Sequence, residues 1–250
     1  MFVARKSELR ILREAYDSDD SQFIAVYGRR RVGKTLLIRE AFRGAFTFQH
    51  TGLTQGGPQE QHFAFGSALE DAGLPGPQTP SSWLEAFKLL KRVVDASDMK
   101  RKVVFIDELS WMDTSRSGLV TALEWFWNSW ASARDDIVLV VCASATSWML
   151  GKVVHNKGGL YNRLTRQIEL RPFTLGECEQ LVHAKGIEMS RSQMIECYMV
   201  MGGVPYYWNI LQKGLGVAQN IDAMFFAEGA PLSSEFVYLF ASLAKPRIAG

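Results

Sequence analysis

Three short apolar runs recur along the chain, and a glycine or a polar residue closely follows each of them. They occupy residues 23–27, 102–106 and 137–142, and weaker runs of the same kind lie at 45–49 and 167–170. Continuous apolar runs of this length are typical of strands that helices cover on both faces, as in parallel sheets. Residues between the runs recur with helical spacing. The alternation predicts an α/β fold with a mainly parallel, doubly wound sheet over residues 1–172.

The helical pattern is clearest in the segment that begins at Ser82. Ser82 and Glu85 have the spacing of a capping box. The apolar stripe predicted for this helix consists of Leu84, Phe87, Leu90 and Val94. In contrast, the stretch from Thr51 to Gln61 is rich in Gly and Gln, and we expect it to be a surface loop.

The pattern of the chain changes after Phe173. Strand-like runs disappear, and short helical segments follow at 174–185, 190–201, 205–213 and 217–227. Helices without strands cannot extend the sheet, so they indicate a separate layer of structure. The sequence therefore predicts a small all-helical domain over residues 173–250, which would act as a lid.

A glycine-rich motif follows the first predicted strand. Gly28, Gly33, Lys34 and Thr35 match every specified position of G-x-x-x-x-G-K-[ST], the P-loop of nucleotide-binding proteins. The glycines let the backbone curve so that several N–H groups point at phosphate oxygens, and the following helix adds its positive end. Lys34 would bind the β- and γ-phosphates, and Thr35 would offer its hydroxyl to Mg²⁺. The predicted nucleotide-binding residues of this segment are Gly28, Arg29, Arg30, Arg31, Val32, Gly33, Lys34, Thr35 and Leu36.

Three consecutive arginines lie inside this motif, at positions 29, 30 and 31. A run of basic residues is most often a solvated surface. These three side chains could also hold phosphates or pair with acidic residues of the lid. The sequence assigns no individual role to any one of them.

Two adjacent acids, Asp107 and Glu108, follow the second apolar run in the Walker B pattern. The carboxyl ends of parallel strands meet at one edge of the sheet, so Asp107 would lie beside the phosphate loop and bind Mg²⁺ there. Glu108 points differently and could orient or deprotonate an attacking water. An acid pair at a strand end is equally typical of an ordinary turn, and only the upstream motif favours the catalytic interpretation.

The third apolar run is followed by hydroxyl residues. A polar residue at the end of a strand next to the P-loop strand would face the γ-phosphate. We choose Ser144 for this contact and Thr146 as the second candidate. The alternative is that the hydroxyl only caps the turn that follows, at 148–150.

Composition narrows the class of protein. The chain has 250 residues with 28 basic and 26 acidic side chains, a net charge of +2. A net charge this close to zero gives no overall positive potential that would attract nucleic acid, although local patches of positive charge are compatible with it. The sequence contains no run of 18 apolar residues, no secretory signal and no closely spaced cysteine pair. We therefore expect a cytoplasmic protein that does not enter a membrane.

Together these motifs resemble a known family. The combination is similar to the archaeal-type ATPases of the STAND class of P-loop NTPases, which are related to AAA+ and Orc/Cdc6 proteins. The P-loop and the Asp-Glu pair occur in many NTPases. The exact sequence Gly-Arg-Arg-Arg-Val-Gly-Lys-Thr and the Gly-Gly-Val-Pro sequence at 202–205 are more specific to this family. The segments that carry it are 2–9, 26–35, 105–109, 143–149, 160–163 and 202–205.

The resemblance implies further site residues and a preference for ATP with Mg²⁺. It would place Val3 and Arg5 beside the adenine and Pro205 of the lid against the nucleotide. Arg163 matches a family arginine that touches the γ-phosphate; Arg166 competes for this role, and an ordinary surface arginine is the third alternative. The chain departs from the family at Ala4, where Gly is common. Members also usually continue into a winged-helix region, so we expect either a short form or a missing portion.

The combined expectation is an ATP- and Mg²⁺-dependent NTPase that hydrolyses ATP slowly to ADP and phosphate and acts as a nucleotide-controlled switch. Its catalytic residues would be Lys34, Glu108, Ser144 and Arg163. A protein partner is expected but not identified, and a homo-oligomer fits the same class. Two alternatives stay open. One is a non-catalytic ATP-responsive interaction or DNA-associated module, and the other is a small-molecule kinase.

Overall fold

The computed structural model describes residues 2–233 and 235, which divide into two compact units. Ala4–Arg171 form the first unit together with Phe2, and the second unit begins at Pro172 and also includes Val3. The division thus falls between Arg171 and Pro172. The last part of the predicted helical domain, residues 236–250, lies outside the described residues, as does position 234.

A five-stranded parallel sheet forms the centre of the first unit. In chain order its strands are β1 (Gln22–Tyr27), β2 (Phe46–Thr51), β3 (Lys102–Asp107), β4 (Ile137–Ala143) and β5 (Arg166–Glu169). In space the order is β2-β3-β4-β1-β5. Strand β1 therefore lies between β4 and β5, and β4 separates it from β3. All five strands begin within one or two residues of the predicted runs.

Helices cover both faces of this sheet, as the uninterrupted apolar strands require. They are α1 (Lys6–Tyr16), α2 (Lys34–Ala41), α3 (Pro58–Asp71), α4 (Trp83–Ala96), α5 (Leu109–Met112), α6 (Leu119–Ser129) and α7 (Thr146–Met149). A 3-10 turn follows α6 at Ala131–Ala133, and α7 continues as a π-helical turn at Leu150–Val154. The predicted α/β fold with its parallel, doubly wound sheet is confirmed.

Alternate residues of β1 supply two separate cores. Phe23, Ala25 and Tyr27 pack with α3, α4 and α6 on one face, and Ile24 and Val26 pack with α1 and α2 on the other. The aromatic helix α6 packs into the first core, where the rings of Phe23 and Trp127 lie 4.9 Å apart. Because both faces are filled, the open edge at the carboxyl ends of the strands is where polar side chains collect.

Two local expectations need correction. Leu84 is 49% exposed, because the buried stripe of α4 begins at Trp83 instead. The stretch that ends at Gln61 is not a surface loop throughout: α3 begins at Pro58, and the side chain of Gln61 is fully buried. Its amide bonds main-chain groups of the preceding loop, which explains how a polar side chain can be buried there.

The second unit is helical in all its described elements. These are α8 (Leu175–Ala184), α9 (Arg191–Met201), α10 (Pro205–Ile210) and α11 (Val217–Ile221), which continues as a π-helical turn at Asp222–Phe226. Capping boxes begin α8 at Thr174 and α9 at Ser190. Gly203 lets this unit pack tightly, since a Cβ there would lie 1.7 Å from the carbonyl oxygen of Phe173. Among the described helices of the whole chain, none is long and apolar enough to cross a membrane.

The imidazole of His50 in β2 provides a test of this packing. Its side chain is buried against the ring of Phe65, with ring centroids 5.0 Å apart, and its Nε2 atom has no hydrogen-bond partner among the described residues. Burial lowers the pKa of His50 to about 4. Only the unfolded state then takes up a proton as the pH falls from about 6.5, so the free energy of unfolding should decline from there towards pH 4.

We expect the His50 ring to remain neutral in an NMR titration until the pH nears 4. Replacement by leucine (His50→Leu) removes the imidazole, so the decline in unfolding free energy from about pH 7 to about pH 5 should be smaller in that variant. A His50 ring that titrates in the folded protein as in a free peptide would contradict the described burial.

Candidate functional site

The P-loop joins β1 to α2 and depends on two glycines in unusual conformations. Gly28 has φ 147° and Gly33 has φ 92°, both disfavoured for residues with a side chain. A Cβ on Gly28 would lie 2.2 Å from the carbonyl oxygen of Leu170, so a residue with a side chain would force the backbone to shift at this position. Helix α2 starts with no side-chain cap, which leaves N–H donors of its first turn open to an anion.

The ammonium group of Lys34 lies at the centre of this loop. Its side chain is 95% buried, and Nζ donates to the carbonyl oxygens of Gly28 (2.9 Å) and Arg29 (3.1 Å) and to Ser144 Oγ (3.0 Å). Within residues 2–233 and 235, no carboxylate forms an ion pair with it. A buried charge that only neutral groups solvate favours an anion beside it.

Thr35 and Asp107 bring two oxygen donors together at the edge of the sheet. Thr35 Oγ1 donates to Asp107 Oδ2 at 2.6 Å, and the backbone N–H of Glu108 donates to Asp107 Oδ1 at 2.9 Å. Carboxylate and hydroxyl oxygens are the hard donors that Mg²⁺ prefers, and Mg²⁺ commonly takes one or two protein oxygens with water and phosphate completing its shell. The described residues contain no group of three or more His, Cys, Asp or Glu side chains placed to hold a metal ion, so this pair fits Mg²⁺ better than an all-protein metal cage.

Glu108 and Ser144 form the second polar pair. Glu108 adopts a left-handed conformation (φ 48°), which turns its carboxylate towards the end of β4. There it accepts hydrogen bonds from the backbone N–H of Ser144 (3.0 Å) and from Ser144 Oγ. Because β4 lies between β1 and β3, Ser144 reaches Lys34 on one side and Glu108 on the other. Thr146, the second candidate from sequence, begins α7 and its N–H donates to the carbonyl of Ser144.

The other predicted residues of the P-loop segment, together with Arg5, differ in burial. Val32 is buried, and Leu36 is 54% exposed on α2. Arg5 is buried, and its guanidinium donates to the carbonyl oxygens of Val32 in the loop and of Arg171 after β5. Arg5 therefore fastens the P-loop to the end of the sheet. Arg29, Arg30 and Arg31 are all exposed.

Two arginine candidates of the first unit lie outside this cluster. Arg163 precedes β5, and Arg166 begins it opposite Ile24, near the amino end of β1 and away from Gly28. Both are exposed. Val3 and Pro205 belong to the helical unit, where Pro205 begins α10. The roles that the resemblance implies for these four residues stay predictions.

Two contacts near the site were not predicted from the sequence. Cys142 in β4 is buried, and burial together with the charge of Asp107 raises the pKa of its thiol well above the usual range. The available signal is its position near the carboxyl end of β4, two residues before Ser144. The second is Trp111 on α5, whose ring lies 5.5 Å from the guanidinium carbon of Arg30. No pattern in the sequence connects those two residues.

Comparison with proteins of known sequence gives two relatives, both from Methanocaldococcus jannaschii. An uncharacterized protein is 26% identical over 222 residues, which is 85% of this chain and 46% of that protein. An uncharacterized ATP-binding protein is 50% identical over 40 residues, 16% of this chain and 68% of that protein. The chain thus spans less than half the length of the first relative. No protein-family model matches it.

Solved structures resemble the chain over nearly its whole length. The Walker-type ATPase of Pyrococcus abyssi matches with a TM-score of 0.69 at 15% identity, covering 97% of this chain and 75% of that one. A STAND protein with a tetratricopeptide repeat sensor from Pyrococcus horikoshii has a TM-score of 0.56 at 17% identity (95% and 34% covered). The ORC2 protein of Aeropyrum pernix, in ADPNP-ADP complexes, has 0.55 at 15% identity (95% and 64% covered).

The chain has the fold of a P-loop NTPase. The resemblance inferred from its motifs, to archaeal-type ATPases, STAND proteins and Orc/Cdc6 proteins, is therefore confirmed at the level of the fold. Within this P-loop NTPase fold, Gly28–Thr35 is the segment that leads from β1 into α2.

The close approach of the P-loop to β5 can be tested by alanine substitution. Gly28→Ala combines an unfavourable φ with a collision against Leu170, whereas Gly44→Ala has a positive φ (74°) but no atom within 4 Å of its Cβ. We expect Gly44→Ala to lower the unfolding free energy by about 1 kcal/mol and Gly28→Ala by at least about twice as much. Chemical denaturation of both variants measures the difference, and equal losses would show that the loop does not lie against Leu170.

Proposed function

We propose that this protein binds ATP with Mg²⁺ and hydrolyses it to ADP and phosphate. The observation that carries the proposal is the single hydrogen-bonded network of Lys34, Ser144 and Glu108, with Thr35 and Asp107 beside it. A buried cation, a hydroxyl and a carboxylate are what phosphate binding and water activation require. The ATP-binding relative and the ATPases among the structural neighbours support ATP as the nucleotide.

Each residue has a chemical task in this proposal. Lys34 exchanges its carbonyl partners for phosphate oxygens and neutralises part of their charge. Thr35 and Asp107 would hold Mg²⁺, which supplies further positive charge to the phosphates. Glu108 orients the attacking water and accepts its proton, for which its carboxylate must leave Ser144 at least in part. Ser144, bonded to both Lys34 and Glu108, can then respond to the γ-phosphate.

The same site supports a nucleotide-controlled switch with slow turnover. Both carboxylate oxygens of Glu108 are bound by Ser144, so the described arrangement holds the water-activating group back. Hydrolysis would then require a rearrangement, which delays it and gives the ATP-bound state a lifetime. The helical lid and the residues Val3, Arg5, Pro205 and Arg163 enter this proposal as nucleotide contacts on the strength of the family resemblance. A protein partner and a homo-oligomer belong to it on the same ground, and a cytoplasmic location belongs to it on the ground of composition.

A second candidate function rests on the same contact. If Glu108 never leaves Ser144, the protein binds ATP without hydrolysing it and acts as an ATP-responsive interaction module. The balanced charge of +2 gives no support to DNA as its partner.

Replacement of Lys34 tests the binding site. Lys34→Ala removes the buried charge, so we expect the affinity for Mg·ATP in calorimetry to fall by about 10- to 100-fold. Lys102→Ala is a matched control, because Lys102 is also largely buried (11% exposed) but pairs with Asp136 at the amino end of β3. Its ATP affinity should equal that of the wild type. Normal ATP binding by Lys34→Ala would refute the proposal.

Replacement of Glu108 tests the hydrolysis. Glu108→Gln keeps the size and loses the proton acceptor, so we expect release of labelled phosphate from ATP to fall by about 10²- to 10⁴-fold while ATP affinity is retained. Separation of free phosphate from phosphorylated products identifies the reaction class in the same assay. Unchanged release in the variant would remove Glu108 from its role, no release in the wild type would favour the interaction module, and label on an acceptor would favour a kinase.

A further inference from the structure

Arg30 is distinguished from its two arginine neighbours by a contact. Its guanidinium carbon lies 5.5 Å from the centroid of the Trp111 ring. Arg30 is exposed, and none of the ion pairs of the described residues includes it. A planar guanidinium over an aromatic face is held in place while its N–H donors remain directed outwards. Arg30 is therefore a positioned cation with unused hydrogen-bonding capacity.

Several contacts hold the main chain of Trp111 in place. Its carbonyl oxygen accepts a hydrogen bond from Nε2 of the buried Gln61 at 3.0 Å, and its N–H donates to the carbonyl of Glu108 at 2.9 Å. The loop after β2 packs closely on it: a Cβ on Gly52 would lie 3.4 Å from the Cβ of Trp111 and 2.9 Å from the carbonyl oxygen of Glu108. The same Gln61 amide bonds both main-chain groups of Leu53. These contacts fix the main chain and the Cβ atom of Trp111, from which the ring extends, relative to Glu108.

The order of the strands shows which part of the sheet edge the Arg30 side chain crosses. Arg30 follows β1 and Trp111 follows β3, and β4 lies between those strands. A side chain that reaches from the first loop to the second crosses the carboxyl end of β4. Ser144 is located there, with Lys34 on its β1 side and Glu108 on its β3 side. The charge of Arg30 is thus directed at the side of the P-loop where Glu108 lies.

We propose that Arg30 binds the γ-phosphate from within the same chain and that Trp111 is the positioning residue that presents it. This inference rests on the proposed function. In hydrolysis, a water oxygen bonds to the γ-phosphorus while the bond from that phosphorus to the β–γ bridging oxygen breaks. The water proton passes to Glu108, ADP leaves with the electron pair of the bridging oxygen, and negative charge stays on the γ-oxygens. A planar, bidentate donor stabilises that charge, and such arginines can be supplied in cis.

Comparison of ATP with ADP isolates the γ-phosphate. Arg30→Ala should leave ADP affinity within about twofold of the wild type and lower ATP affinity by about tenfold or more. The kcat for phosphate release should fall by about 10²-fold with a smaller change in KM, because the contact strengthens as charge develops. Arg39→Ala removes the same charge from an exposed position on α2 outside the P-loop, and we expect a change in the ATP-to-ADP ratio below about threefold.

The positioning role of Trp111 is tested with two substitutions of that residue. Trp111→Leu removes the aromatic face, and we expect kcat to fall by about three- to tenfold. Trp111→Phe keeps a face and should restore kcat to within about twofold of the wild type. Trp125→Leu is the matched control, since that exposed tryptophan also carries a cation, with Lys91 Nζ 3.7 Å from its ring centroid, but on α6. It should leave kcat unchanged.

Two results would overturn the inference. One is an unchanged ATP-to-ADP affinity ratio together with unchanged kcat in Arg30→Ala. The other is an equal loss in Arg39→Ala, which would indicate a general effect of charge. Either can occur while Lys34→Ala still lowers the affinity for Mg·ATP by about 10- to 100-fold, and the proposed function then stands without Arg30. Failure of the wild type to bind Mg·ATP would instead refute the proposed function itself. Circular dichroism and thermal unfolding of each variant confirm that the fold is retained.

Discussion

The buried ammonium group of Lys34 is the constraint on which the rest of the site depends. Removing a charge from water is costly unless partners compensate it, and here the partners are two carbonyl oxygens of the loop and one hydroxyl. The loop can supply these carbonyls only because Gly28 and Gly33 bend it back over the lysine. The result is a loop folded around a buried ammonium group with which no carboxylate of the described residues forms an ion pair. In the proposed function, phosphate oxygens are the anionic partner of this group.

Sheet order turns this local feature into a site. If β3 lay directly beside β1, no third strand end would separate Lys34 from Glu108. Insertion of β4 places Ser144 between them, so that cation, hydroxyl and carboxylate form one network. Two left-handed or near-mirror conformations, at Glu108 and Gly28, are retained at this edge. Strained backbone of this kind persists where the surrounding structure holds it, and it is common at functional sites.

Much of this arrangement could be predicted from sequence, because strands buried on both faces are uniformly apolar and the P-loop has a fixed spacing. That logic located β1, β3 and β4 to within one or two residues and chose Ser144 from its place after β4. It failed where tertiary packing decides. Gln61 was assigned to a surface loop, because no residue near it in the sequence indicates that its amide hydrogen-bonds the main chain at Leu53 and Trp111. The stack of Arg30 on Trp111 joins residues 81 positions apart, and no local pattern encodes such a contact.

The most direct test of the account is a crystal structure with Mg²⁺ and a non-hydrolysable ATP analogue. The account predicts that Lys34 Nζ leaves the carbonyl of Gly28 and lies within hydrogen-bond distance of β- and γ-phosphate oxygens, with the metal ion beside Thr35 and Asp107. A nucleotide bound elsewhere, with Lys34 still donating to Gly28 and Arg29, would contradict it.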